Sequence, residues 1–417
     1  MQLKTILNRV QKFKSFVYGS VRLIEGASVP TLEVELQPRL NSRAVCSGCG
    51  RKRPGYDRLP ERCFEFIPMW GHKVFFVYAP RRTECPECGI RVERMPWVAG
   101  KHRQTEAYAW FLAGWAKRLS WQEVARAFRT SWDHVFCSVE RAVSWGRAHQ
   151  DLSGVTAIGV DEIAWQRGHR YLTLVYQIDG HCKRLLWIGE KRTVRSLLRF
   201  FRWFGKERSQ ALGFICSDMW KPYLKVIAKK AGNALNILDR FHIMSHLSKA
   251  IDQVRAQEAK DLQQKGYEPV LTKTRWLLLK RPQNLTGQQE ARLADLLRYN
   301  LRSIRSYLLK EEFQLFWSYT SPYWAGRFLD TWCTKTMRSQ IEPMKKVARM
   351  LRRHRPLLLN WFRARKQFSS GIVEGFNTKA KLTTRKAYGF RTYHAAEIAL
   401  YHALGALPVR KTTHEFF

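Results

Sequence analysis

The stretch Thr156-Ala-Ile-Gly-Val-Asp161-Glu-Ile-Ala-Trp165 constrains this chain most. An apolar run closes on an acid, and a second strand-like run begins at once near His169. Apolar residues flanked by turn signals read as a buried strand. A carboxylate inside such a strand is costly unless it is paired or holds a metal. Two further stretches could supply partners. Leu212-Gly-Phe-Ile-Cys-Ser-Asp218 is another apolar run ending on an acid, and Ser369-Ser-Gly-Ile-Val-Glu374-Gly-Phe-Asn377 opens a helical pattern. On a regular helix Glu374, Asn377, Thr378, Lys381 and Arg385 share one face, and Val373, Phe376 and Ala380 another. Asp161, Asp218 and Glu374 thus become candidates to converge on a pair of Mg²⁺ ions, with Mn²⁺ as a substitute. Hard cations take oxygen ligands, and two of them clamp the attacking and leaving oxygens of a phosphodiester. The plainer alternative is that each acid is solvated, capped or ion-paired. The strand settings of Asp161 and Asp218 weigh against it.

Charge narrows the partners. The chain has 417 residues with 73 basic and 34 acidic side chains, a formal charge of +39. The surplus runs through the whole sequence, a field that favours a polyanion, foremost double-stranded DNA. No stretch approaches the ~18 apolar residues of a membrane span. The first residues carry no signal-peptide pattern, which leads to a cytoplasmic expectation.

Nine cysteines in such a chain point to thiols and metal. Cys46-Ser-Gly-Cys49-Gly and Cys85-Pro-Glu-Cys88-Gly are matched knuckles, each offering two thiolates, so Cys46, Cys49, Cys85 and Cys88 are expected to hold one structural Zn²⁺. Strand-like runs at Cys63–Ile67 and Lys73–Tyr78 fill the gap as a ribbon. Beyond it, Thr105 to Lys117 is helical, Ser120-Trp-Gln-Glu123 is a capping box, and Arg129-Thr-Ser131 makes a turn. The next helix buries Val135, Val139 and Val143. Its other face shows His134, Cys137, Ser138 and Arg141. This is the pattern of a helix-turn-helix whose last helix reads the major groove through His134, Ser138 and Arg141. A plain helical hairpin is the alternative.

The expected organisation is α/β and multidomain: a lead-in (1–40), a zinc ribbon (41–100), a helix-turn-helix (101–150), a mixed-sheet domain (151–242), a basic helical insertion (243–366), and a second part of the sheet domain with a C-terminal tail (367–417). Three antiparallel strands followed by β-α-β units give the mixed sheet. The insertion carries Trp276, Trp317, Trp324, Trp332 and Trp361, which read as core residues. Lys379, Lys381, Arg385, Lys386 and Arg391, just after Glu374, are placed to hold a scissile strand.

The order of these parts, together with Gly159-Val-Asp161-Glu, Ser217-Asp218, Asp239-Arg-Phe-His242 and Glu374-Gly-Phe-Asn377 running into Arg385-Lys-Ala-Tyr-Gly-Phe-Arg391, resembles the ISL3 family of bacterial insertion-sequence transposases, of the DDE class. The resemblance covers nearly the whole chain. It implies a ribonuclease-H-like fold interrupted by the helical insertion, with three catalytic carboxylates at Asp161, Asp218 and Glu374 binding two Mg²⁺. Asp239 and His242 match an acid-x-x-His signature that assists beside the site. Asp239 also ends a strand, so it competes with Asp218 for the second ligand position, whereas Glu162 points to the other strand face. The implied activity is binding of terminal inverted repeats, cleavage of the element ends and joining of the 3′-OH to target DNA, by a homo-oligomer associated with the bacterial nucleoid. The alternatives are a metal-dependent nuclease of the same fold that does not join, and a DNA-binding regulator that uses the N-terminal part alone.

Overall fold

Valine, isoleucine and aromatic residues at alternating positions set the strands, and the computed structural model arranges them in sheets within two compact units. It describes residues 3–25, 29–166, 168–367 and 371–410. Ser369 and Ser370, and the tail beyond residue 410, lie outside the described residues. One unit comprises Met1–Asp151 with Thr383–Phe417, the other Leu152–Leu382.

The first unit begins with α1 (Leu3–Val10), β1 (Phe16–Ile24) and β2 (Thr31–Pro38). Short strands follow: β3 (Ala44–Val45), β4 (Lys52–Arg53) and β5 (Gly55–Arg58), then β6 (Arg62–Met69), β7 (His72–Tyr78), β8 (Arg81–Cys85) and β9 (Gly89–Val92). The lead-in is not a separate segment. Its two strands join the ribbon hairpin in one sheet of order β1-β2-β7-β6, with β2 parallel to β7. Trp97 is the hub, ringed edge-on by Phe16, Phe64 and Tyr78. The knuckle cysteines border a pair of small sheets, β3-β4 and β5-β8-β9.

Three helices follow: α2 (Glu106–Trp115), α3 (Trp121–Ala127) and α4 (Trp132–His149). Ser120 and Glu123 form the capping box that starts α3, each side chain meeting the other's backbone N–H. Both α2 and α3 pack on α4.

The second unit holds a five-stranded sheet built from β10 (Ala157–Gln166), β11 (Arg170–Ile178), β12 (Lys183–Glu190), β13 (Phe214–Ser217) and β14 (Leu235–Leu238), in the order β12-β11-β10-β13-β14. The first three are antiparallel, and β10, β13 and β14 run parallel. Between them lie α5 (Val194–Phe204), α6 (Lys206–Gln210) and α7 (Lys221–Lys230). Ile158, Val160 and Ile215 pack under Phe200, Phe201 and Val226, so α5 and α7 cover one face.

From β14 the chain enters α8 (Arg240–Gln264), α9 (Arg275–Leu279), α10 (Gly287–Leu297), α11 (Arg302–Gln314), α12 (Pro322–Arg338), α13 (Glu342–Arg353) and α14 (Arg355–Arg363). They enclose their own core around Phe313, Phe316, Leu329 and Trp332. Trp317 and Trp332 are buried as expected, but Trp276 and Trp324 are exposed. In α13, Lys345 and Arg349 pair with Glu342. The long α15 (Gly371–Lys386) returns to the sheet, and α16 (Tyr393–Leu404) follows it. The compact units therefore divide the C-terminal part within α15: residues from Thr383 onward belong with the N-terminal unit.

Candidate functional site

Strand alternation separates the two acids of β10. Gly159 and Asp161 face the start of α15, where Val373 packs so closely on Gly159 that a Cβ there would lie 2.3 Å from its Cγ2. That approach seats the helix. One turn on, Asn377 Nδ2 donates to Asp161 Oδ2 at 2.5 Å, and Tyr176 donates its hydroxyl to Asn377 Oδ1 at 2.9 Å. Phe376 stacks on Tyr176 with ring centroids 4.9 Å apart. The Glu162 backbone N–H also donates to Asp161, at 2.8 Å.

Asp239 leaves β14 and caps α8, accepting from the Phe241 N–H at 2.7 Å, with His242 Nε2 3.6 Å from its other oxygen. Burial raises the Asp161 carboxyl, His242 and Asn377 oppose the rise, and the Asp239 charge adds to it. Burial also raises Glu374, helped by the charges of Asp239 and Asp161 and opposed by His242. Asp161, Asp239, Glu374 and His242 therefore share one electrostatic neighbourhood.

Asp218 sits differently. The β10–β13 register pairs Gly159 with Cys216, and continued two residues further it would set Asp218 beside Asp161. But β13 ends at Ser217, so an Asx turn rather than the pleat directs the side chain: Asp218 Oδ1 accepts from the Trp220 N–H at 2.9 Å. Its other oxygen accepts from Arg192 at 3.0 Å. Arg192 also lies 3.0 Å from Glu162 and over the Trp220 ring. Burial, then the Asp218 charge, pushes Glu162 up to about 8.

The possible metal ligands around Asp161 are carboxylates and the His242 imidazole, and the carboxylates crowd like charge that a hard cation would relieve. Among the described residues only the cysteine set brings three or more such ligand atoms within 4.8 Å of one another. A two-ion site does not require all its ligands to be that close, since ligands of opposite ions stand up to about 8 Å apart.

The sulfurs of Cys46, Cys49, Cys85 and Cys88 are gathered in that way, with Cys49 and Cys85 3.6 Å apart. A tetrahedron with ~2.3 Å arms has edges of about 3.8 Å, so the set fits zinc. Gly50 and Gly89 each adopt a φ of 70°, the left-handed turn that closes each knuckle. The Cys49 N–H holds the Cys46 thiol low. Cys63 is exposed on β6 and stands outside the set.

A family profile described as Transposase, of the ISL3 type, matches residues 158–400. The transposase for insertion sequence element IS1001 of Bordetella parapertussis is 29% identical over 365 residues, covering 87% of this chain and 88% of that protein. The transposase for insertion sequence element IS1557 of Mycobacterium tuberculosis is 28% identical over 386 residues, covering 86% and 85%. The chain belongs to the ISL3 family of transposases.

In this transposase the residues expected to read DNA on α4 differ in exposure: Ser138 is buried, whereas His134 and Arg141 are partly exposed and engaged by neighbouring side chains. Ser138 is buried and donates to the His134 carbonyl. His134 lies 3.0 Å from Thr130 and 3.6 Å from Glu65, and Arg141 is bound to Glu106. The valine stripe marked one buried face, but α4 is covered on more than one side. Gln122, Arg126 and Arg129 on and after α3 are exposed instead. Along α15, Lys379 lies over the Phe376 ring, Lys381 and Arg385 are exposed, and Lys386 donates to the Arg118 carbonyl. Arg391 is exposed beyond the helix. Sequence reasoning gave no role to Asn377, Tyr176 or Arg192. For Asn377 the signal was present: it lies three residues after Glu374.

Among the described residues no helix is long and apolar enough to cross a membrane.

Proposed function

We propose that this transposase is a DDE enzyme of ribonuclease-H-like fold. It binds the terminal inverted repeats of its element, cuts the ends and joins the freed 3′-OH to target DNA. The observation that carries the reading is α15 laid on β10, which brings Asn377 onto Asp161 and Glu374 into its field. Asp161, Asp218 and Glu374 are the acids that hold divalent cations, with Asp239 and His242 beside them. Bound Mg²⁺ would supply the Lewis acidity that readies water or a 3′-OH for attack. Asn377 orients Asp161. Lys379, Lys381, Arg385, Lys386 and Arg391 hold the scissile strand. Cys46, Cys49, Cys85 and Cys88 hold zinc that stabilises the N-terminal unit, whose helices α2 to α4 dock on the repeats as a helix-turn-helix, with Gln122, Arg126 and Arg129 as its exposed polar groups. The working species is a homo-oligomer on DNA, in the cytoplasm at the nucleoid.

A second assignment is favoured by the shared field of Asp239 with Asp161 and Glu374. In it Asp239 replaces Asp218 as the middle ligand. Cleavage and end-binding assays on Asp161→Asn, Asp218→Asn, Asp239→Asn and Glu374→Gln separate the two. Loss of cleavage with end binding retained is expected for Asp161→Asn, Asp218→Asn and Glu374→Gln. If Asp218→Asn still cuts and Asp239→Asn does not, Asp239 is the ligand. If all four cut, the DDE reading fails. Cutting without joining in the wild type would leave a nuclease, and end binding without cutting a regulator.

A further inference from the structure

The helices on the other face of the five-stranded sheet frame a groove of about 1110 Å³ between α5, α6 and α7. Its floor is apolar, formed by Leu198, Phe201 and Val226 among others. Its walls carry six exposed cations: Arg202, Lys206, Lys221, Lys225, Lys229 and Lys230. No carboxylate lines it, and its neutral polar groups are Ser209 and Gln210. Lysines 221, 225 and 229 recur every fourth residue, so they form one ridge along α7, about 6 Å apart in rise. One DNA strand rises ~3.4 Å of helix axis per phosphate and winds as it rises, which sets neighbouring phosphates roughly 7 Å apart, so the ridge matches adjacent phosphates.

The walls carry one amide, Gln210, against six cations, so groups suited to phosphates outnumber those suited to base edges. The groove is also separated from Asp161. Ile158 and Val160 support α5 and α7, whereas Gly159 and Asp161 face α15. DNA held here is therefore not the strand presented to Asp161, although the end of the groove at Val194 and Lys221 lies two and three residues along the chain from Arg192 and Asp218.

We propose that this groove grips a second stretch of duplex DNA through its phosphates, independently of sequence. An acidic protein segment would meet the same charges. The phosphate-matched ridge and the lack of hydrogen-bonding variety favour the nucleic acid. The proposal rests on the reading that the chain acts on DNA, but not on which acids bind metal.

The test uses full-length protein and fluorescence anisotropy with a random-sequence duplex over a range of salt. A Lys221→Gln, Lys225→Gln, Lys229→Gln triple variant is expected to lower affinity equally for random and repeat-containing DNA. It should flatten the slope of log affinity against log salt by about 2.7, since each lost phosphate contact removes about 0.9. A triple with the same charge loss, Lys260→Gln, Lys265→Gln, Lys273→Gln, should change the slope little. Replacing the three groove lysines by arginine should restore it, which guards against a folding defect. Equal slopes for the two glutamine triples would reduce the effect to net charge and overturn the groove. An unchanged slope in the groove triple would overturn it too and leave an acidic protein as occupant. Wild-type protein without salt-dependent DNA binding would overturn the proposed function along with it.

Discussion

At the scale of residues, Asp161 and Glu374 are acids kept in surroundings that raise their affinity for protons, a pattern typical of catalytic centres. The acids themselves were legible in sequence because each interrupts or borders an apolar run. Their orienting partners were not, since Tyr176 reaches Asn377 from the neighbouring strand, far away in sequence. Asp218 shows the limit of alternation as a guide: one residue past the end of a strand, a turn decides direction. Asn377 gives a prediction. Asn377→Ala removes the donor to Asp161 without removing a ligand, so end binding should persist while the Mg²⁺ needed for half-maximal cleavage rises. Losses of an outer hydrogen-bond partner run to about 10–100-fold. A Mg²⁺ titration of cleavage checks this, and an unchanged midpoint would strip Asn377 of the role.

At the scale of elements, helix caps and knuckles were read from local spacing and strands from alternation. Strand partnership was not, because β2 finds β7 across the whole knuckle region and no local signal encodes that pairing. The knuckles give a second prediction. Cys88→Ser should lower bound zinc well below one per chain and broaden the thermal transition of the N-terminal unit, because structural zinc supplies folding energy. Metal analysis with differential scanning calorimetry measures both, and wild-type protein purified without zinc would refute the site. A third concerns α16. Among the described residues His402 Nε2 is shielded from solvent without a hydrogen-bond partner, and burial together with Lys117 lowers the imidazole to about 4, opposed by a hydrogen bond of the ring to the Ala113 backbone. Its folded pKa lies below the unfolded value near 6.5, so the unfolded chain takes up the proton first. The stability this group contributes is intact above about pH 6.5 and is lost as pH falls toward 4, a change of about 3 kcal/mol. Between pH 7 and 4.5 the melting temperature of the wild type should fall more steeply than that of His402→Phe, and parallel curves would show that this proton is not the cause.

At the scale of the whole molecule, the +39 charge announced a polyanion partner but could not say where it binds. Its distribution over the described surface was hidden because lysine and arginine occur in most of the helices of both units. Domain limits were the least legible. The expected limits closed the N-terminal segments at residue 150, yet α16 belongs to the same unit. It packs on α4, burying Ile398, Leu400 and Tyr401, with Glu397 3.4 Å from Arg147. Phe390 lies 6.0 Å from Trp121. Gly146 leaves room for Leu407, which a Cβ would meet at 2.7 Å. A fragment of residues 1–150 should therefore aggregate or melt well below the full protein, and one with residues 383–417 joined on by a flexible linker should recover. Size-exclusion chromatography and thermal melting decide, and equal behaviour of the two fragments would deny α16 a supporting part.

The same arrangement bears on how the protein comes into being. At roughly 5–20 residues per second, the ribosome needs roughly 12–46 s to pass from Asp151 to Thr383. Throughout that interval the segment made first waits with the seat of α16 uncovered, while the sheet and its helical insertion emerge and can settle. The unit begun first is thus completed after the one begun second. A nascent chain halted anywhere before α16 carries an unfinished first unit, so prematurely terminated products should be fodder for proteases rather than competitors for DNA.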